Sequence, residues 1–331
     1  MARYIYKRLL MMIPVMLGIT LLIFFIMELA PGDPAQLILG EGASLEDIAR
    51  LREEMGLNDN FFIRYFRYVA NAVQGNLGKS YRTGMSVAAE VFERFPNTFF
   101  LAFLGVSLSI CLALPVGIIS AVKQYSLMDN LSMLLALILT SMPGFWLGMM
   151  LILLFSLHLG WFPATGVDTW RNFVLPVMTV GAVSMSTLTR MTRSTMLETI
   201  RQDYIRTARA KGAVENKVIV QHALRNALLP LVTVMGNNFG HQLGGTVMIE
   251  TVYAVPGLGT YLVTAVRMKD TPAVIGTLLI TCLLASIINL CVDILYAFID
   301  PRLKSQYVKI KENDNEKKRL TTSAGTGSAA N

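Results

Sequence analysis

Long apolar stretches separated by shorter polar ones run through most of this chain. An α-helix needs about 20 consecutive, mostly apolar residues to cross the hydrocarbon core of a bilayer, and six stretches reach or approach that length. The pattern therefore predicts an all-α, polytopic membrane protein with six transmembrane helices. The predicted spans are residues 9–29, 99–122, 131–157, 173–188, 228–249 and 274–298.

The six spans predict a division of the chain into four parts. The first apolar run is longer than that of a cleaved signal peptide, and no small-residue cleavage site follows it, so we expect it to remain as a span. The tail is polar and rich in Thr, Ser, Gly and Ala, which is typical of disorder. The parts are an N-terminal segment with the first helix (1–30), an extracytoplasmic helical segment (31–98), a five-helix core with a cytoplasmic loop at 189–227 (99–302), and a cytoplasmic tail (303–331).

Composition and charge agree with a membrane protein. Of the 331 residues, 53% are apolar and only 15% are charged, and the mean hydropathy is +0.52, which excludes an ordinary soluble domain. The net charge of +7 does not indicate a nucleic-acid partner, because Lys and Arg collect beside the spans as they do in cytoplasmic loops. These basic clusters fall before residue 9, within 189–227 and after 299. We therefore expect both termini in the cytoplasm.

The sequence carries no recognisable catalytic machinery. A phosphate-binding loop ends much like VQGNLGKS at residues 73–80, but such a loop needs a glycine where Val73 stands. Cys111, Cys282 and Cys291 all lie in apolar stretches, which indicates packing rather than a disulfide framework or a metal cluster. No paired nucleophile and base marks an intramembrane enzyme. We expect no catalytic residue, no metal and no cofactor in this chain.

Two amphipathic patterns lie within the segment 31–98. In SLEDIARLREEMGL, Ser44 is suited to cap the start of a helix and Gly56 to end it. In NFFIRYFRYVANAV, apolar residues recur at helical spacing. We expect two helices that cover the spans, that bind an extracytoplasmic partner, or that do both. The predicted apolar face of the second helix is Phe62, Tyr65, Phe66, Val69 and Val73.

A charged helical hairpin interrupts the apolar pattern between the fourth and fifth spans. Its sequence is DYIRTARAKGAVENKVIVQHALRNALLP, residues 203–230. A first helix that begins near Leu197 is predicted to end at Lys211, since basic side chains suit the negative end of a helix. Gly212 can then adopt the positive φ of a helix C-terminus, and a second helix at 215–227 leads into the fifth span. We expect another protein to act on so rigid and polar a hairpin.

Several short motifs together resemble one family. They are APGDP at 30–34, MTRSTMLE at 191–198, DYIRTARAKG at 203–212 followed by HALRNALLP at 222–230, ETVYAVPGLG at 250–259 and DPR at 300–302. In this order among six apolar stretches, they resemble the permeases of ABC importers, and in particular the B-type subunit of oligopeptide, dipeptide and nickel importers. The resemblance covers residues 5–302. It implies a type I ABC importer permease fold in a bacterial or archaeal plasma (inner) membrane.

The resemblance also implies partners. Permeases of this family work with a second homologous permease as a heterodimer, with two ATP-binding subunits and with an extracytoplasmic substrate-binding protein. The ATP-binding subunits would hold ATP and Mg²⁺, and the hairpin would be the coupling helix that they grip. The alternative is that its basic residues only contact lipid headgroups. The residues assigned to coupling are Asp203, Ala208, Arg209, Ala210, Lys211, Gly212, His222 and Arg225.

Polar residues within the fifth span suggest a translocation path. A polar side chain at membrane depth normally faces the interior of the bundle or a water-filled cavity. The alternative is helix packing, because Gly236, Gly240 and Gly244 form a ridge of small residues and amides often bond between helices. The candidates for the path are Asn237, Asn238, His241 and Gln242.

The resemblance leaves the substrate open. Short peptides are the cargo we expect, and the same family also imports nickel or metal chelates and glutathione. An ATP-independent secondary transporter or channel is a further alternative, but the internal repeat or intramembrane charge network typical of that class is absent from the sequence.

Overall fold

The computed structural model describes residues 2–40 and 42–299. Within them all regular structure is helical, apart from an isolated bridge between Lys79 and Ser86. The all-α prediction is confirmed, whereas the predicted tail at 303–331 and the DPR motif lie outside the described residues. The helices are α1 (Ala2–Leu29), α2 (Pro34–Leu39), α3 (Leu45–Glu54), α4 (Phe61–Val73), α5 (Val87–Val122), α6 (Leu127–Ser141), α7 (Gly144–Leu151), α8 (Trp170–Ile200), α9 (Asp203–Ala210), α10 (Glu215–Lys217), α11 (Arg225–Gly245), α12 (Val247–Val252), α13 (Leu258–Arg267) and α14 (Thr271–Ile299).

Two π-helical segments connect or extend these elements. Ile152–His158 continues α7, and Val218–Leu224 joins α10 to α11. Residues Glu215–Gly244 therefore form one long helical run, as the sequence predicted for a hairpin arm that leads into the fifth span.

Five helical runs in the described part of the chain are long and apolar enough to cross a membrane. A sixth span is obtained if the pair α6 and α7 is counted as one, although its two parts are bent by 104°. The predicted count of six agrees with this arrangement. The five continuous runs are Ile5–Leu29, Val87–Val122, Trp170–Ile200, Glu215–Gly244 and Thr271–Val292.

The third span, predicted at residues 131–157, is divided by a sharp bend. Helix α6 ends at Ser141, and Met142 is extended, with a ψ of 129°. A residue that precedes proline is disfavoured in the helical region, because the proline ring crowds its backbone, and Pro143 follows. The Tyr253 hydroxyl donates to the carbonyl oxygen of Gly148 at 3.1 Å and so fixes α7 beyond the bend.

The second and fourth spans are longer than predicted. Helix α5 begins at Val87 rather than residue 99, and α8 covers Trp170–Ile200 rather than 173–188. The 36 residues of α5 give a length of about 54 Å, which exceeds a hydrocarbon core of about 30 Å. The additional turns of α5 and α8 contain polar residues, so the search for apolar stretches did not include them. Polar residues can still be helical where a helix extends beyond the bilayer.

The most extensive contact in the bundle joins α5 to α8. A Cβ placed on Gly105 would lie 2.4 Å from a methyl carbon of Val180, and one on Gly117 would lie 2.6 Å from Cβ of Thr192. Small residues allow helices in a membrane to approach closely and to gain packing energy. These two glycines therefore set the spacing of the central helix pair.

The fifth span ends earlier than the predicted residue 249. Helix α11 ends at Gly245, and α12 is a separate short helix. A second turn connects α12 to α13 before the chain enters α14. These short helices lie at the end of the bundle opposite the hairpin. We call this opposite end the far end.

The segment between α1 and α5 also lies at the far end. As predicted, the Ser44 side chain caps α3 by accepting from the backbone N–H of Asp47. The predicted apolar face of α4 was only partly correct, since Phe62, Phe66 and Val73 are exposed. The packed face is instead formed by Phe61, Tyr65, Tyr68, Val69 and Ala72.

Candidate functional site

The hairpin stands on a small apolar core of its own. Ile205 of α9 is fully buried, and it packs where the ends of α5, α8 and the arm 215–227 converge. The hairpin is therefore a rigid extension of the bundle. The buried members of this core are Ala121, Met196, Ile205, Val218, Ala223 and Ala227.

The helix α9 ends in a turn that requires a positive φ. Gly212 has a φ of +78°, and its N–H donates to the carbonyl of Arg209 at 2.9 Å. The N–H of Ala213 donates to the carbonyl of Ala208 at 3.3 Å. These two bonds form a Schellman motif, in which glycine avoids the steric cost that other residues carry at positive φ. The predicted role of Gly212 as a helix terminator is confirmed.

An ion pair closes the hairpin across this turn. Arg209 Nη2 donates to Glu215 Oε1 at 2.6 Å, and Nε donates to Oε2 at 3.1 Å. The carboxylate raises the pKa of the Arg209 side chain above its ordinary value. Both residues are exposed, so the pair contributes little to stability, but its two parallel bonds fix the orientation of the two arms.

The predicted first helix of the hairpin is interrupted. It was expected to run on from Leu197, but α8 ends at Ile200 and α9 begins at Asp203. Gln202, between them, is extended, with a ψ of 150°. Periodicity missed this break because the apolar spacing continues across it, since Leu197, Ile200 and Ala208 all pack against the same core.

The structure divides the residues assigned to coupling into two groups. Ala208 and His222 are half-buried, and Ala208 packs against the core of the hairpin rather than on its exposed side. The apolar residues Tyr204, Val214 and Val220 are also exposed, and they were not among the residues assigned to coupling. The exposed members of the predicted set are Asp203, Arg209, Ala210, Lys211, Gly212 and Arg225.

A buried ion pair beneath the hairpin was also missed. The Asp129 carboxylate accepts from Arg193 Nε at 2.6 Å and from Nη2 at 2.7 Å. It also accepts from the Ser120 hydroxyl and from the Tyr125 N–H. These bonds fasten the turn between α5 and α6 to α8, close to where α8 leads into the hairpin. Arg193 lies in the MTRSTMLE motif, but no sequence spacing pointed to its partner.

The residues predicted to line a translocation path lie on different faces of α11. Gln242 Nε2 donates to the Ser184 hydroxyl of α8 at 2.7 Å, which is a helix-packing contact. Asn238 is half-buried, whereas Asn237 and His241 are exposed on the side that faces away from the bundle.

The glycine ridge of this helix is only partly used. A Cβ on Gly236 would lie 2.3 Å from a methyl carbon of Val292, and one on Gly240 would lie 3.1 Å from Asn289 Oδ1, so both glycines pack on α14. Gly244 has nothing within 4 Å of a Cβ position. Helix packing therefore accounts for Gly236, Gly240 and Gln242, and the assignment of Asn237 and His241 to a path stays a prediction.

The ETVYAVPGLG motif forms a buried corner at the far end. The fully buried Glu250 accepts from the hydroxyls of Thr98 and Thr246 at 2.7 and 3.0 Å. Its other oxygen accepts from the N–H groups of Gly259 and Thr260 at 2.8 and 3.1 Å. An acidic group is favourable at a helix N-terminus, so Glu250 holds the start of α13 against α5 and α12.

With its membrane helices, hairpin and corner described, the chain can be compared with known families. The family model described as binding-protein-dependent transport system inner membrane component matches residues 113–305. A second model, for the N-terminal part of such membrane components, matches residues 1–102. The chain belongs to this family and is a multi-pass permease of the ABC importer class.

Relatives of known name agree with this class. The glutathione transport system permease protein GsiC of Escherichia coli O6:H1 is 41% identical over 304 residues, which cover 92% of this chain and 99% of the relative. The dipeptide transport system permease protein DppB of Alkalihalophilus pseudofirmus is 40% identical over 332 residues, which cover 92% of this chain and all of the relative.

A solved structure supports the fold. The chain superimposes on a chain of the MetNI methionine ABC transporter, in an inward-facing conformation, with a TM-score of 0.56 and 19% identity. The match covers 64% of this chain and 96% of that chain. The predicted type I importer permease fold is thereby confirmed.

Proposed function

We propose that this permease forms half of a peptide translocation path, pairs with a second homologous permease, and is driven by ATP-binding subunits that grip its hairpin. The observation that carries the proposal is the exposed hairpin, which stands on a buried core and is closed by a glycine turn and an ion pair. Movement applied to its exposed side would pass to α8 and to α11 as a unit.

The surface of the hairpin suits a protein partner. Ala210 and Gly212 present little bulk, Lys211 and Arg206 offer positive charge, and all four are exposed. Exposed Tyr204, Val214 and Val220 add apolar area. Protein interfaces commonly combine an apolar centre with a charged rim, whereas contact with headgroups alone would not need the apolar residues. We assign this surface to the ATP-binding subunits, which would bind ATP and Mg²⁺.

The exposed side of α11 suits a path shared with a second permease. Thr233, Asn237, His241 and Gly244 recur at helical spacing, and all are exposed. Polar groups facing hydrocarbon are costly, and a facing permease that encloses water between the two chains would remove that cost. The proposal assigns Asn237 and His241 to the path, and gives Asn238 and Gln242 a supporting place in the packing of α11.

The charge pattern favours a hairpin on the cytoplasmic side. Arg3, Lys7 and Arg8 lie at the N-terminal end of α1, and the loop 189–227 contains eight Lys or Arg residues against three acidic ones. Positive charge collects in cytoplasmic loops. Both termini would then be cytoplasmic, the far end would face the outside, and an external binding protein would deliver substrate there.

We favour a di- or oligopeptide as the substrate. One relative carries dipeptide in its name and another carries glutathione, and glutathione is itself a tripeptide, so both names specify a short peptide. Nickel or a metal chelate is the alternative. Specificity would reside mainly in the external binding protein.

Uptake into proteoliposomes that contain the complete transporter and its binding protein tests the proposal. We expect uptake of a labelled dipeptide only with ATP at the hairpin side and the binding protein at the far side, and weaker uptake of glutathione and of a nickel complex. Preferred uptake of the nickel complex would move the assignment to metal import. Equal flux without ATP would contradict the coupling proposal and indicate a secondary transporter.

A further inference from the structure

Helix α4 lies against the sides of two membrane spans and does not rest on top of them. Its Tyr65 hydroxyl donates to the carbonyl oxygen of Leu17 in α1 at 3.1 Å. The ring of Phe61 lies edge-on to Phe24, with centroids 5.3 Å apart. Tyr65 also packs in one buried cluster with Phe24 and with Ile275 of α14.

The contacts of α4 with α1 and with α14 lie at similar distances from the far ends of these two spans. Phe24 lies four residues before Glu28, where α1 becomes polar, and Ile275 lies four residues after Thr271, where α14 begins. Four residues of α-helix measure about 6 Å. Amphipathic helices that lie in the plane of a membrane bury their apolar face about 5–10 Å into the boundary between headgroups and acyl chains. The ring contacts at Phe24 and Ile275 place α4 within this range, and the Tyr65 hydroxyl reaches deeper, to the carbonyl oxygen of Leu17.

The surface of α4 carries two opposite stripes beside its packed face. Arg64, Arg67 and Asn71 recur at helical spacing on one side. Arg64 pairs with Glu28 at 3.0 Å and Arg67 pairs with Asp59 at 2.7 Å. On the opposite side Phe62, Phe66 and Val73 are 61%, 65% and 83% exposed.

The contacts of the arginines define the orientation of these stripes. Arg64 reaches Glu28, near the end of α1, and the carbonyl of Leu57, outside the spans. The polar stripe therefore faces the headgroups, and the apolar stripe faces the centre of the bilayer. The apolar stripe is continuous in depth with Phe25, Leu22 and Leu21 of α1, which are also exposed.

We propose that α4 is an interfacial helix whose stripe Phe62, Phe66 and Val73 is immersed in the acyl chains of the leaflet at the far end. The occupant is lipid, because a binding protein that arrives from solution would approach the arginine side. Arginine side chains that reach outward while apolar residues stay immersed are typical of this boundary. The helix thereby holds the first span and the start of α14 at a fixed depth. The inference does not depend on the substrate or on coupling.

Spin labels on α4 in the complete transporter, reconstituted in lipid nanodiscs, test this inference. The native cysteines of the transporter, which include Cys111, Cys282 and Cys291 of this chain, are first replaced by serine. Phe62→Cys and Phe66→Cys carry the label on the apolar stripe, and Asn71→Cys is the matched control on the polar stripe. We expect oxygen, which partitions into lipid, to relax the labels at 62 and 66 more strongly than a water-soluble nickel chelate does. The order should reverse at 71.

Two other outcomes would overturn the inference. Stronger relaxation by the nickel chelate at both 62 and 66 would place the stripe in water. Weak relaxation by both reagents would show that protein, such as a second permease, covers it. The two labelled positions are read independently, so a variant that fails to assemble does not remove the test.

Discussion

The hairpin and the far-end corner differ in how deeply the residues of their sequence motifs are buried. In DYIRTARAKG, Ile205 is fully buried while Ala210, Lys211 and Gly212 are exposed. In ETVYAVPGLG, by contrast, Glu250 is fully buried and Gly257 and Gly259 pack directly on its carboxyl group. The first motif leaves part of its surface exposed, and the second holds the chain together. Two sequence motifs of similar length therefore have different roles, and the burial of their residues distinguishes them.

The largest effect on transport is expected when bulk is added to the hairpin surface. Ala210→Trp places an indole on an exposed position without disturbing the core around Ile205. If ATP-binding subunits grip this surface, ATP-driven uptake should fall by a factor of about ten or more, because a loss of about 1.4 kcal/mol already weakens binding tenfold. Thermal stability should not change.

The matched control for this variant is Ala49→Trp, at an exposed alanine of α3. The ATP-binding subunits should co-purify with the Ala49→Trp variant as they do with the unmodified chain, and in reduced amount with Ala210→Trp. A loss of these subunits from both variants, or from neither, would erase the proposed contrast between the hairpin and the far end.

A substitution in the far-end corner should lower the stability of the protein. Glu250→Ala leaves two hydroxyls and two backbone N–H groups without their acceptor in a buried site. Buried groups that lose a partner cost about 1–3 kcal/mol each, so we expect a loss of about 3 kcal/mol or more in thermal unfolding of the detergent-solubilised transporter. Glu93→Ala, at an exposed carboxylate of α5, should change stability by less than about 0.5 kcal/mol. Equal effects of the two variants would contradict a structural role for Glu250.

A smaller effect is expected at the turn of the hairpin. Gly212→Ala forces a β-carbon into a positive φ and should destabilise α9 by about 1 kcal/mol, detected as faster hydrogen exchange of the α9 amides. Gly212→Asn should cost less, because asparagine tolerates this conformation. Gly244→Ala, within a helix and with free space around it, should be neutral or stabilising. Identical exchange in all three variants would show that the positive φ is not required.

The smallest effect is expected at the exposed ion pair. Arg209→Gln removes both bonds to Glu215, and exposed pairs contribute about 0.2–1 kcal/mol. Hydrogen exchange of the arm that begins at Glu215 should rise slightly at low salt. The difference from the unmodified chain should shrink at high salt, since salt screens exposed charges. A difference that grew with salt would contradict an electrostatic origin.

The sequence predicted those features that depend on local composition. Span count, the Ser44 cap and the termination at Gly212 follow from apolar length, capping chemistry and backbone freedom. The sequence did not specify the 104° bend beside Pro143, since that angle also depends on long-range packing such as that of Tyr253 against Gly148. The break at Gln202 escaped detection because apolar periodicity continues across it.

Long-range polar pairs could not be predicted. Asp129 and Arg193 are separated by 64 residues, and Glu250 and Thr98 by 152, so no local spacing connects them. The path candidates could not be ranked either, because one helix presents Gln242 to α8 and Asn237 to the opposite side. Only the packing of α11 decides which residue faces which neighbour.

Site-specific cross-linking tests the central claim most directly, namely that the exposed side of the hairpin is where the ATP-binding subunits attach. A photoreactive cross-linker is attached to Ala210→Cys, or to Ala49→Cys as the control, in a transporter whose native cysteines are replaced by serine. We predict that the ATP-binding subunit is captured from position 210 and not from position 49. Capture of only lipid from position 210, while the complex remains assembled, would contradict the account.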